Sequence, residues 1–139
     1  MKVFLETSSL VKRYLEEKGA EDLEEFFEKV SGVVVSPITW LEVNSAIHRN
    51  RIQKKITDAE AGLFIREAEC DFQFWGRMDF NEELEEKAVS YAQKHGLKTF
   101  DCIQLASACL APVDVFVTSD KRLYNAAKKE KEIAEVKFI

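Results

Sequence analysis

Lys2-Val3-Phe4-Leu5-Glu6-Thr7-Ser8-Ser9 carries an apolar run that stops abruptly on an acid and three hydroxyls. A short, almost unbroken apolar run reads as a strand buried on both faces. The polar residues behind it offer N-caps for a helix over about 9–17, which Gly19 ends. The same arrangement returns late in the chain, where Val113 to Thr118 is a very apolar strand followed by Ser119-Asp120. Val33-Val34-Val35 reads as a second strand, Phe72 to Arg77 as a third, and Val136-Lys137-Phe138 as a last. Helical spacing fills the intervals. It predicts a helix over about 21–30 carrying Leu23, Phe26, Phe27 and Val30, and another over about 38–53 after Pro37. Thr57-Asp58-Ala59-Glu60 is a capping box opening a helix to about 69, and Asn81 caps one that runs to His95-Gly96. Asp101 to Leu110 and Lys121 to Lys129 complete the set. Helices separating apolar strands predict an α/β layered fold with a mostly parallel sheet.

The 139 residues correspond to one domain, expected over residues 1–139. Hydrophobic residues make up 46% and charged ones 32%, so a core is available and disorder is not expected. No apolar stretch approaches the ~18 residues of a bilayer span. Glu6 falls where a secretory signal needs a longer apolar run, so a soluble, cytoplasmic protein is expected. A net charge of −5 argues against holding nucleic acid by bulk positive charge, but leaves room for a local patch or a metal ion. Cys70, Cys102 and Cys109 are odd in number and lack CxxC spacing, which argues against a disulfide framework or a zinc site. Cys102 and Cys109 read as small core hydrophobes.

Four acids stand out by position. Glu6 and Asp120 follow strands at their carboxyl ends, the edge at which open parallel sheets bind ligands. Adjacent hydroxyls accompany both: Thr7 and Ser8 beside Glu6, Thr118 and Ser119 before Asp120. Asp120 ahead of Lys121-Arg122 also suits a helix N-cap. Glu42 has Ile38, Thr39, Ser45 and Ala46 as helical neighbours, none of them cationic, so its charge must be offset from elsewhere. Asp101 opens a strongly apolar helix that would carry it to the interior edge of the sheet. Spacings of about 36, 59 and 19 residues mean that only the fold can bring these acids together. Converging carboxylates need a cation, and oxygen-only donors suit Mg or Mn, which points to phosphodiester or phosphate-ester chemistry.

At these residues the chain resembles PIN-domain ribonucleases, in particular the VapC-like toxins of toxin–antitoxin pairs. Val3 to Tyr14 is similar to that family's first motif, Ser36-Pro37 through Leu41-Glu42-Val43-Asn44-Ser45-Ala46 to its second, Thr99 to Ala106 to its third, and Phe116-Val117-Thr118-Ser119-Asp120 to its fourth. The resemblance implies a three-layer α/β/α fold with a roughly five-stranded parallel sheet. It also implies a metal-dependent endoribonuclease using Mg or Mn, with Glu6, Glu42, Asp101 and Asp120 as catalytic and metal-site acids. Thr7, Ser8, Thr118 and Ser119 would support them. RNA is the implied substrate, with a homodimer and a small antitoxin as implied partners. An antitoxin arginine reaching Glu42 or Asp101 would replace a metal's charge.

One position departs from the family pattern, which has Asp where this chain has Glu6. The added methylene moves the carboxylate by about 1.5 Å, and about 1 Å of misplacement can cost on the order of a hundredfold in rate. Hence two expectations stand side by side: an attenuated ribonuclease, or a weak or inactive PIN module that binds RNA or antitoxin. Lys12 and Arg13, early in the first helix, are candidates for RNA phosphate contacts. Arg49, Arg51, Lys54 and Lys55 form a second basic cluster, read as a solvated face, and the Phe and Trp residues are expected in the core.

Overall fold

The computed structural model describes residues 1–139. Five strands form a single parallel sheet: β1 (Lys2–Leu5), β2 (Gly32–Val35), β3 (Gly76–Arg77), β4 (Val115–Thr118) and β5 (Glu135–Phe138). Their order across the sheet is β3-β2-β1-β4-β5. Seven helices connect them: α1 (Thr7–Leu15), α2 (Ala20–Phe27), α3 (Thr39–Ile52), α4 (Asp58–Phe72), α5 (Glu82–His95), α6 (Thr99–Leu110) and α7 (Lys121–Ala127). The three-layer α/β/α arrangement expected from the sequence is borne out.

Period-two alternation divides the core between the two faces of the sheet. Val3, Leu5, Val33, Val35, Val115 and Val117 pack with Leu10, Leu23, Val43, Ile47 and Phe64 from α1 to α4. Phe4 and Phe116 point the other way, onto Leu84, Tyr91, Leu105 and Leu123 from α5, α6 and α7. Both faces of β1 and β4 are therefore buried, which explains their lack of polar alternation.

The chain winds outward from β1 through β2 to β3, then returns to place β4 on the opposite side of β1. That reversal opens a crevice beyond the carboxyl ends of β1 and β4. Glu6 and Asp120 leave those two ends. Hydrogen bonding from Glu6 N to Val117 O (3.0 Å) stitches the edge together.

Several boundaries differ from the sequence reading, for physical reasons. Helix α1 starts two residues early because Glu6 itself is the N-cap, its carboxylate accepting from Ser8 N. It stops at Glu16, in the left-handed region (φ 51°), while Gly19 (φ 98°) starts α2 instead. The third strand shrinks to Gly76–Arg77. Phe72 belongs to α4, where its ring meets Trp40 edge-on at 5.0 Å and Trp75 at 5.4 Å. An aromatic run that looked like a strand is thus a helix end and turn folded onto the core. The capping box at Thr57, the Asn81 cap and the Gly96 stop stand as read.

Candidate functional site: an acid pocket at the carboxyl edge of the sheet

Glu6, Glu42, Asp101 and Asp120 all line one open pocket of about 460 Å³, together with Thr7, Ser8, Val11, Leu41, Ser45, Ala46, Arg49 and Phe100. Each acid arrives by a different route. Glu6 ends β1, Glu42 sits in the first turn of α3, Asp101 in the first turn of α6, and Asp120 between β4 and α7. A second hollow of about 510 Å³ lies at the α3–α4 turn, but its acids are committed. Asp58 faces Arg51 at 3.7 Å and Glu60 closes the Thr57 capping box.

Glu6 is 5% exposed. Oε1 accepts from Ser8 N (3.0 Å), while Oε2 accepts from the Ser8 hydroxyl and from Thr118 Oγ1 (2.9 Å). Burial pushes its pKa up to about 7 despite these donors, and the nearby Glu42 charge adds to the rise. The side chain is folded back on its own helix start. Ser8 Oγ also accepts from Ser119 N (2.9 Å), and Thr118 Oγ1 accepts from Asp120 N (3.0 Å), so hydroxyls bind the ends of β1 and β4 into one network.

Glu42 is half-buried and lacks a cationic partner. Its Oε1 instead accepts from Thr7 Oγ1 (2.8 Å) and Gln104 Nε2 (2.6 Å). Gln104, itself 1% exposed, also donates to Thr7 Oγ1 (2.8 Å), while its Oε1 is buried without a donor. Neutral donors thus offset a charge that would otherwise cost several kcal/mol to bury. Asp101 is raised above the ordinary carboxylate range by burial first, then by Asp120 and Glu42, with Lys98 and Arg122 working against the rise. Asp120 caps α7 through Oδ1, which accepts from Leu123 N (2.9 Å), and still lines the pocket.

The oxygen-only donors and their mutual repulsion match a hard divalent cation in chemistry. Their convergence does not: nowhere in the chain do three acidic, imidazole or thiol side chains come together closely enough to hold a metal ion. Three donors already engage the Glu6 carboxylate, and Glu42, Asp101 and Asp120 do not close on one another either, so the fit to Mg or Mn is incomplete.

Of the cations expected to meet RNA, Lys12 Nζ donates to Ile139 O (2.9 Å). Arg13 Nε lies 3.4 Å from Glu24 and 3.5 Å from Asp71, its guanidinium over Phe27. Neither lines the pocket; Arg49 does. Sequence reasoning also passed over Gln104 as a donor to Glu42, and Phe100, which is 52% exposed rather than in the core. The polar Lys98-Thr99 pair before Phe100 was the available signal that its turn faces solvent.

A five-stranded parallel sheet in this order, flanked by helices on both faces and with acids gathered over its central strands, defines a three-layer α/β class with an acidic crevice. The PIN domain family profile matches residues 3–129, and the chain belongs to that family. Solved structures agree in fold. A toxin–antitoxin complex from Klebsiella pneumoniae superposes with a TM-score of 0.66 at 18% identity, covering 88% of this chain and 89% of that one. FitAcB from Neisseria gonorrhoeae gives 0.68 at 17%, covering 97% and 96%. VapBC2 from Rickettsia felis, bound to a DNA fragment from its promoter, gives 0.67 at 12%, covering 100% and 99%. No curated protein sequence matches. No helix is long and apolar enough to cross a membrane.

Proposed function

We propose that this chain is a toxin-type PIN module that engages RNA and a small antitoxin at the acid pocket, with catalytic output held low by Glu6. The observation that carries this reading is the Glu6 carboxylate, whose oxygens are already occupied by Ser8 and Thr118. A carboxylate filled by donors of its own fold has little left for a metal. Glu42 and Asp101 present oxygens to the pocket, where an antitoxin guanidinium can pair with either in two parallel hydrogen bonds. Likeness in fold to a chain of a toxin–antitoxin complex supports a small antitoxin as partner. A homodimer is part of the same proposal.

Metal-dependent RNA hydrolysis at full rate is the second reading; it requires Glu42, Asp101 and Asp120 to draw closer together than they lie here before they could hold Mg or Mn. The raised proton affinity of Asp101 favours it, since a divalent cation would relieve the repulsion behind that rise. Incubating the purified chain with end-labelled RNA, with and without MnCl2, separates the two. Little or no Mn-dependent product is expected from the native chain. A gain of at least about tenfold is expected from Glu6→Asp, which shortens by one methylene the arm that carries the carboxylate and gives this position the residue of the family pattern. Brisk native turnover that Asp101→Asn abolishes and Glu6→Asp leaves unchanged would overturn the low-output reading.

A further inference from the structure

Strand β3 is paired on one side only, by β2, and its other side is an open sheet edge. Met78 N donates to Val35 O (3.0 Å), so the alternation along a strand turns the N–H and C=O of Arg77 outward, away from β2. Gly76 and Arg77 are both exposed. The strand at the opposite edge, β5, carries Glu135 and Lys137, charges of the kind that keep an edge unpaired. Aromatics border β3 instead. Phe74 is 86% exposed, more than any other large apolar residue of the chain, and Phe80 is 53% exposed. Apolar surface along a free edge marks a contact. Beside Arg77, the last residue of β3, lies a hollow of about 370 Å³ lined by Trp40, Glu69, Phe72, Gln73 and Arg77. Neither Glu69 nor Arg77 belongs to an ion pair of the chain.

We propose that β3 pairs antiparallel with β3 of a second copy across a two-fold axis, joining two five-stranded sheets edge to edge, with Phe74 of each copy seated in the other's Trp40–Phe72 hollow. Antiparallel pairing sets the amino end of one strand against the carboxyl end of the other. Phe74 precedes the amino end and the hollow adjoins the carboxyl end, so each ring arrives where the other copy's hollow opens. A two-fold interface needs one patch that is complementary to itself, and here ring, hollow and open strand belong to the same short stretch of chain. The same symmetry lays the free Glu69 and Arg77 of both copies along one seam, with opposite charges facing, on a chain whose net charge of −5 repels a second copy elsewhere. This inference rests on the homodimer of the reading above and gives it a surface.

Sedimentation velocity on the purified native chain at micromolar concentrations tests it, and a dimer is expected. Phe74→Asp should raise the dimer Kd by at least about tenfold while leaving the circular dichroism spectrum unchanged, since the ring stands in solvent in the single copy. Arg77→Pro, which removes the outward N–H, should weaken the dimer more than Arg77→Ala, which keeps it. Val89→Asp, at an exposed apolar position on α5, should leave the Kd unchanged. Amide exchange reads the strand pairing without a proline: the Arg77 N–H should exchange slowly in the native dimer and fast in Phe74→Asp. A native dimer that Phe74→Asp leaves intact, or that Val89→Asp breaks instead, overturns the edge pairing while the homodimer stands. Fast exchange at Arg77 in the native dimer overturns it equally. A native chain that stays monomeric removes the surface and the homodimer together.

Discussion

Glu6 is both the N-cap of α1 and an acid of the pocket, and the first role constrains the second. A carboxylate with its pKa raised to about 7 prefers its proton in the folded state, against about 4.5 when unfolded. Its contribution to stability is therefore fully present below about pH 4.5 and is lost as pH rises through 7. The shift corresponds to a ceiling on the order of 3 kcal/mol. Glu6→Gln is expected to remove this dependence: urea denaturation should show the variant gaining on the native chain between pH 5 and pH 8, and matching it most closely at the acid end. Neither the hooked geometry of Glu6 nor the Gln104 amide behind Glu42 was legible in the sequence. Both depend on which rotamer points where, and residue spacing carries no such information.

At the level of the element, helix ends decide where the site residues sit. Residues Asn81, Thr57 and Asp120 announce themselves because their short polar side chains reach backbone N–H groups two or three positions on. The start of α1 was harder to read, since a Glu cap spans the same gap with a longer arm. Left-handed stops also differ in cost. Gly96 adopts φ 61° with nothing within 4 Å of a would-be Cβ, so Gly96→Ala meets only backbone strain. It should destabilise by about 1–2 kcal/mol in urea unfolding. Glu16 adopts φ 51° without a glycine's freedom, and Glu16→Gly should change stability in the opposite direction, by a smaller amount because the unfolded chain also gains entropy. The overlong third strand shows the limit of pattern reading: a run of aromatics fits a strand and a packed helix end equally well.

For the whole molecule, the pocket is a place where stability is given up. Asp101 ionises against burial, Asp120 and Glu42, with only partial relief from Lys98 and Arg122. Because its folded pKa is raised, Asp101→Asn should raise the melting temperature at pH 8 and lose that advantage under acid conditions; scanning calorimetry at the two pH values checks it. The alternation of strands and helices made the layered architecture readable, because burial on both faces leaves an apolar imprint in each central strand. The meeting of four acids was readable only through strand ends and motif order, since contacts across such distances in sequence leave no local pattern. The strand order has one more consequence. With β1 lying between β2 and β4, a growing polypeptide leaving the ribosome carries Glu6 and Glu42 long before β4 arrives to wall the crevice, and Asp101 only shortly before it. Chains that stop short of β4 thus hold no formed pocket, and the acids stay apart until that strand is in place.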